Sequence, residues 1–138
     1  MALPRDVAIA LAFVSDPAMR DLNARHRGID RVTDVLSFGP ALPPGVRGPE
    51  AAGYLSREPD GSVELGDIVI AGDQARRQAR RRRWTVAEEL AFLAAHGALH
   101  LVGYEDETAV GYREMRRLGD DAVARARMLV RRRERKQN

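Results

Sequence analysis

The sequence contains no cysteine among its 138 residues. Disulfide bonds and thiolate metal sites are therefore excluded, and any metal ion must be bound by nitrogen and oxygen ligands. Aromatic residues make up only 5% of the chain, and no run of 18 apolar residues is present, so a transmembrane helix is not expected. Lysine is almost absent too, because arginine provides all but one of the 23 basic residues.

The composition that remains, 44% hydrophobic and 31% charged, is that of a globular protein. A chain of this length suits one ordinary domain, which we predict over residues 1–138. The N-terminal stretch MALPRDVAIALAFV has one early arginine and lacks the small-residue cleavage site of a signal peptide. We interpret residues 7–14 as a core strand, central in a sheet and buried on both faces, and we predict a cytoplasmic protein.

Hydrophobic periodicity and turn residues predict an α/β fold, with a small mixed sheet of about three or four strands packed against helices. Residues 39–62 hold five of the seven prolines and five of the twelve glycines, so we expect no regular structure there. Two further strands, 33–38 and 63–71, and four helices are predicted from their patterns and end signals. The first helix spans 16–27 and is ended by Gly28, and the second spans 73–83. The third begins with a capping box of Thr85 and Glu88 and is apolar over 90–102, and the fourth starts at about 110.

Two of the three histidines, His96 and His100, lie four residues apart on a predicted helix that is apolar nearly all round. This spacing places both imidazoles on one face of the helix. Each buried ring needs a polar partner, since an unpaired buried polar group costs about 1 to 3 kcal/mol. A metal ion would satisfy both rings, but the H-x-x-x-H spacing alone favours a structural histidine pair over a metal site.

Gly103 and Asp106 extend the pair to H-x-x-x-H-x-x-G-x-x-D. In one class of metalloproteases this spacing lets a glycine end the helix and return a third ligand to the two histidines. Three protein ligands leave one position open on a zinc ion, as in catalytic sites. Spacing alone leaves a second interpretation open, in which residues 105–107 form an acidic loop before the last helix. Gly97 replaces the glutamate that peptidases use as general base, which disfavours peptide hydrolysis.

The stretch HGALHLVGYEDE at residues 96–107 closely resembles the H-G-x-L-H-L-x-G-Y-D-H signature of the YbeY family. These are bacterial metal-dependent endoribonucleases of ribosomal RNA maturation. Two further blocks match in the same order: LNARHRGIDRVTDVLSF at 22–38 resembles L-N-x-x-Y-R-x-K-D-x-P-T-D-V-L-S-F, and LGDIVI at 65–70 resembles L-G-D-I-x-I. Three ordered blocks make the resemblance specific.

The resemblance implies a single-strand-specific endoribonuclease that acts in small-subunit ribosomal RNA maturation and ribosome quality control. It implies one zinc ion per chain, bound by His96, His100 and Asp106 at the C-terminal end of the buried helix. It also directs attention to Arg27, the counterpart of a catalytic arginine. The implied partners are ribosomal RNA and the small ribosomal subunit.

This sequence departs from the family pattern at two places. The usual third ligand is histidine, whereas the matching residue here is Asp106, which bears on metal preference and affinity. Family members also commonly carry a further strand and helix before the strand that corresponds to residues 7–14, and we expect this chain to lack them. Asp34, Ser37, Phe38 and Asp67 lie in the matching blocks, and we interpret each as a strand-packing or backbone-capping residue.

Two other functions stay open at this point. The protein is also interpretable as an RNA-binding ribosome assembly factor with a structural metal, in which the arginine-rich runs at 76–83 and 125–136 hold RNA. Such runs are equally typical of solvated helix faces. The second alternative is a non-nucleolytic metallohydrolase, which a deep apolar pocket would favour over an open basic groove.

Overall fold

The computed structural model of the chain describes residues 6–138, so residues 1–5 of the predicted domain lie outside the described part. Residues 6–138 form three strands, four α-helices and one 3₁₀ helix. In chain order they are β1 (Val7–Val14), α1 (Asp16–Arg27), β2 (Val35–Phe38), the 3₁₀ helix (Gly48–Tyr54), β3 (Val63–Ala71), α2 (Gly72–Arg82), α3 (Val86–Leu101) and α4 (Ala109–Gln137).

The three strands form one mixed sheet in the order β1-β3-β2. β1 runs parallel to β3, and β2 runs antiparallel to it. This arrangement confirms the predicted fold class, a small mixed sheet packed against helices. The parallel pair is joined through α1, β2 and the long connection that contains the 3₁₀ helix.

The prediction that β1 is a central strand buried on both faces is wrong. β1 lies at an edge of the sheet, and the side chains of Ile9, Leu11 and Phe13 are 40%, 47% and 56% exposed. β3 is the central strand, because it alone pairs on both sides, and its Ile68 and Ile70 are buried. Apolar residues on both faces of a strand predict strand formation, but they do not specify which element covers those faces.

The connection at residues 39–62 is more regular than its proline and glycine content predicts. Gly48–Tyr54 form a 3₁₀ helix, with Pro49 in its first turn and Ala51 fully buried. Proline is tolerated in a first helical turn because its missing N–H would have no partner there. The expectation of no regular structure is therefore corrected for these seven residues.

Local end signals define the helices that surround the site. The Ser15 hydroxyl accepts a hydrogen bond from the Ala18 N–H at the start of α1, and Gly28 ends that helix with φ of 70°. Thr85 and Glu88 form the predicted capping box of α3. α3 then packs on β2 and β3 on one side and along α4 on the other. No helix within residues 6–138 is long and apolar enough to cross a bilayer.

Candidate metal centre and active site

Gly97 lets α3 lie close to the sheet. A Cβ atom at this position would lie 2.9 Å from Cγ2 of Ile68 and 3.0 Å from Oγ of Ser37. The Ser37 hydroxyl also donates a hydrogen bond to the Gly97 carbonyl oxygen at 2.9 Å, which ties β2 to the helix. Glycine therefore fixes the distance and rotation of α3 on the sheet, and with them the direction in which His96 and His100 point.

We expect Gly97→Ala to destabilise the protein by about 1 to 3 kcal/mol, the usual cost of inserting a methyl group into a packed core. The shift of α3 should also lower the bound metal content. Urea denaturation and metal analysis measure the two effects. Gly72→Ala is the matched control, because a Cβ at Gly72 meets nothing within 4 Å. Equal stability and metal content in both variants would contradict this account of Gly97.

The chain reverses direction after α3 and brings Asp106 back to the two histidines. Gly103 makes this turn with φ of +97°, and a Cβ there would collide with the backbone oxygen of Val46, so only glycine fits. The Asp106 Oδ2 atom lies 3.4 Å from Nε2 of His96 and 3.6 Å from Nε2 of His100. We call His96, His100 and Asp106 the trio.

Hydrogen bonding and burial prepare both imidazoles for a cation. Nδ1 of His100 lies 3.1 Å from the carbonyl oxygen of Tyr104, which can only accept, so Nδ1 donates its proton there and Nε2 is the ring nitrogen on the side of His96 and Asp106. Burial lowers the pKa of His96, and the charge of His100 lowers it further, while the Asp106 and Asp34 carboxylates act in the opposite direction. Metal binding requires this neutral form of histidine.

The donor atoms of the trio have the spacing that a single metal ion requires. The two Nε2 atoms are 3.1 Å apart, and one ligand atom from each member lies within 4.8 Å of the others. Zinc binds histidine nitrogen at about 2.0 to 2.1 Å, so two ligands of one tetrahedral ion lie about 3.3 Å apart. Two nitrogens and one carboxylate oxygen thus fit a divalent cation in both chemistry and distance.

Arg27 lies beside the trio in the fold. It is the last residue of α1 and is exposed, as its position before Gly28 predicts. Arg27 lines a cleft of about 360 Å³ together with all three members of the trio, and we call it the Arg27 cleft. The structure thus brings together the four residues that the sequence singles out, although they come from separate parts of the chain.

Asp34 also belongs to the site, although the sequence pattern predicts for it, as for Ser37, only a strand-packing or backbone-capping role. It does cap the strand, since Oδ1 accepts the Val35 N–H at 2.8 Å. It also lines the cleft, and its Oδ2 accepts a hydrogen bond from Nε2 of Gln78 at 3.2 Å. The same Gln78 nitrogen donates to Oε1 of the fully buried Glu89 at 2.9 Å, so one amide group fixes two carboxylates.

A sequence profile of the family described as "Endoribonuclease YbeY" matches residues 1–127 of the chain. The chain belongs to the YbeY family. The resemblance carried by the three sequence blocks is therefore confirmed, and an endoribonuclease is favoured over the assembly-factor and metallohydrolase alternatives.

Individual YbeY relatives agree with this assignment. Endoribonuclease YbeY of Moorella thermoacetica is 44% identical over 110 residues, which cover 80% of this chain and 67% of the relative. Endoribonuclease YbeY of Desulforamulus reducens is 42% identical over 120 residues, which cover 87% of this chain and 72% of the relative. The solution structure of TM1509 from Thermotoga maritima is similar with a TM-score of 0.52 and 26% identity, over 89% of this chain and 73% of that one.

Proposed function

We propose that residues 1–138 act as one domain that cuts single-stranded RNA in the maturation of small-subunit ribosomal RNA. The observation that carries the proposal is the convergence of the trio and Arg27 on one cleft of a YbeY family member. The open form of this cleft suits a strand better than an enclosed small molecule. Ribosomal RNA and the small ribosomal subunit are the partners that we infer, and the cytoplasm is the compartment.

We propose His96, His100 and Asp106 as the ligands of one zinc ion per chain. Three protein ligands leave a coordination position for water or substrate. Such an ion supplies Lewis-acid activation of water and polarisation of the phosphate. Asp106 contributes a negative charge that a third histidine would not, and its side chain is 38% exposed, so it lies at the open side of the trio.

We propose Arg27 as the group that stabilises charge on the phosphate. Its planar guanidinium matches two phosphate oxygens in a bidentate arrangement. Negative charge grows on the non-bridging oxygens during attack, and a fixed cation in the cleft stabilises that charge more in the transition state than in the ground state. Because Arg27 ends α1 on the rim of the cleft, it reaches substrate without being buried.

Part of the arginine run at residues 76–83 supports RNA binding outside the cleft. Arg76 and Arg77 pair with Asp73 at 2.9 Å and Asp16 at 2.6 Å, so their charges are partly neutralised. Within residues 6–138, the exposed Arg80, Arg81 and Arg83 have no carboxylate partner. These three cations are the members of the run that we expect to bind phosphate.

We expect metal-loaded protein to cut single-stranded RNA and to leave duplex RNA of the same sequence intact. A flexible single strand can enter the open cleft and bring one phosphate to the trio. A duplex holds its phosphates on a rigid surface and cannot bend a single phosphate into the cleft. Gel-resolved cleavage of matched single-stranded and duplex substrates measures the difference. Metal-saturated protein that binds the single strand without cutting it would support the assembly-factor alternative and contradict the proposal.

A further inference from the structure

A second cleft adjoins the trio on the side away from Arg27. It has a volume of about 220 Å³ and shares Asp34, His96 and Asp106 with the Arg27 cleft. Its remaining walls come from the end of α2, from α3 and from α4. We call it the Phe92 pocket, and these walls are Arg82, Phe92, Leu93, Tyr112, Met115 and Arg116.

The Phe92 pocket combines planar cations with aromatic and apolar surface. The guanidinium carbons of Arg82 and Arg116 lie 4.9 Å and 5.6 Å from the ring centroid of Phe92. Phe92 itself is buried, so the two guanidinium groups form the accessible surface over its ring. Tyr112 stands at the pocket with 53% of its side chain exposed.

Arg82 is held in place by its surroundings. Its Nη1 atom lies 3.6 Å from Oε2 of Glu89, a carboxylate that is fully buried, and its guanidinium also lies 5.0 Å from the ring of Trp84. Gln78 holds the other oxygen of Glu89 at 2.9 Å. The planar group that Arg82 contributes to the lining of the pocket is therefore restrained by an ion pair and two aromatic rings, which lowers the entropy cost of stacking a ligand there.

We propose that the Phe92 pocket binds a base of the RNA strand, from a nucleotide next to the phosphate at the trio. This inference rests on the proposed function. Unstacked bases of single-stranded RNA stack on aromatic rings and on arginine guanidinium planes. In this pocket the exposed Tyr112 provides the ring, and Arg82 and Arg116 provide the guanidinium planes. With Arg27 on one side of the trio and the Phe92 pocket on the other, the strand crosses the trio from a phosphate contact to a base contact.

The pocket favours a base over a second phosphate. Leu93 and Met115 give it apolar walls. An ionised phosphate would lose hydration against such walls, and this desolvation costs free energy. Asp34 also lines the pocket, and its carboxylate can accept a hydrogen bond from an amino group of a base, which a phosphate does not offer.

The test combines base removal with side-chain removal. A short ribo-oligonucleotide with one mapped cleavage site is made with an abasic nucleotide at each position in turn. Binding to metal-loaded protein is read by stopped-flow fluorescence anisotropy before strand cleavage, and single-turnover cleavage is read afterwards. The variants are Tyr112→Ala and Arg116→Ala. Their matched controls are Tyr54→Ala, whose side chain is 54% exposed, and Arg117→Ala, and neither control residue lines either cleft.

We expect base removal at one position beside the cleaved bond to weaken binding by about 5- to 150-fold in the wild type and both controls. In Tyr112→Ala and Arg116→Ala this loss should nearly vanish, while the effects at all other positions stay unchanged. An abasic profile that is the same in these variants and the wild type overturns the inference, as does a loss that is equal at every position or absent at every position, since neither result singles out one bound base.

The outcome for the pocket is separate from the outcome for the proposed function. Wild-type protein that cuts RNA without the position-specific effect overturns the Phe92 pocket alone. Wild-type protein that shows the position-specific effect in binding but never cuts the strand overturns the proposed function alone.

Discussion

His100→Ala should lose its bound metal and its RNA cleavage together. Nε2 of His100 lies 3.1 Å from Nε2 of His96 and 3.6 Å from Oδ2 of Asp106, so its removal leaves only two donor atoms at the trio. Two protein ligands do not make a catalytic zinc site, which uses three. Cleavage should therefore fall by more than the roughly 10²- to 10³-fold that loss of one charge donor costs.

Metal analysis, circular dichroism and single-turnover cleavage on one preparation test this prediction. Asp106→Ala provides a second variant, because its exposed side chain contributes little to the core. His26→Ala is the matched control: His26 packs edge to face against Phe38 at 4.8 Å and does not line the Arg27 cleft. Wild-type metal content in both His100→Ala and Asp106→Ala would exclude the trio as the metal site.

Arg27→Ala should slow RNA cleavage by about 10²- to 10³-fold and leave the fold and the metal intact. Arg27 is exposed at the end of α1, and substitution of such a surface residue changes stability by about 0.5 kcal/mol at most. Arg27 lines the cleft of the trio, where we propose that charge grows on the phosphate during attack. The loss should therefore appear in the single-turnover rate, with metal content equal to that of the wild type.

Arg25→Ala is the matched control for Arg27, since Arg25 is exposed on the same helix and pairs with Asp21 at 2.6 Å away from both clefts. Melting temperature and cleavage rate are measured for both variants. An undiminished rate in Arg27→Ala would make Arg27 a bystander. Loss of metal or of the folded state in that variant would make its role structural.

The sequence predicted those parts of the fold that local interactions specify. The capping box of Thr85 and Glu88 and the left-handed turn at Gly28 each depend on residues within four positions of one another, so they are readable from the chain. The edge position of β1 is not local. It depends on which strands pair with β3 on its two sides. The apolar pattern of residues 7–14 is the same for an edge strand and for a central strand.

In the candidate site, too, the local part could be predicted from the sequence and the long-range part could not. His96, His100 and Asp106 follow from one helix face and one glycine turn within eleven residues, and the structure brings their donor atoms together. Arg27 was found only through the family resemblance, since it is one arginine among many. Asp34 and Gln78 are 44 residues apart, and no local pattern predicts a hydrogen bond that forms only when the fold brings α2 to the residue that precedes β2.

Stoichiometric metal titration tests the central claim most directly. Wild-type protein is stripped of metal with a chelator, checked for a retained fold, and titrated with Zn²⁺ while single-turnover cleavage of single-stranded RNA is measured. We predict that the rate rises from near zero in proportion to added Zn²⁺ and levels off at one equivalent per chain. Full cleavage in the presence of chelator, or no cleavage at any Zn²⁺ level by folded protein that binds RNA, would contradict the account.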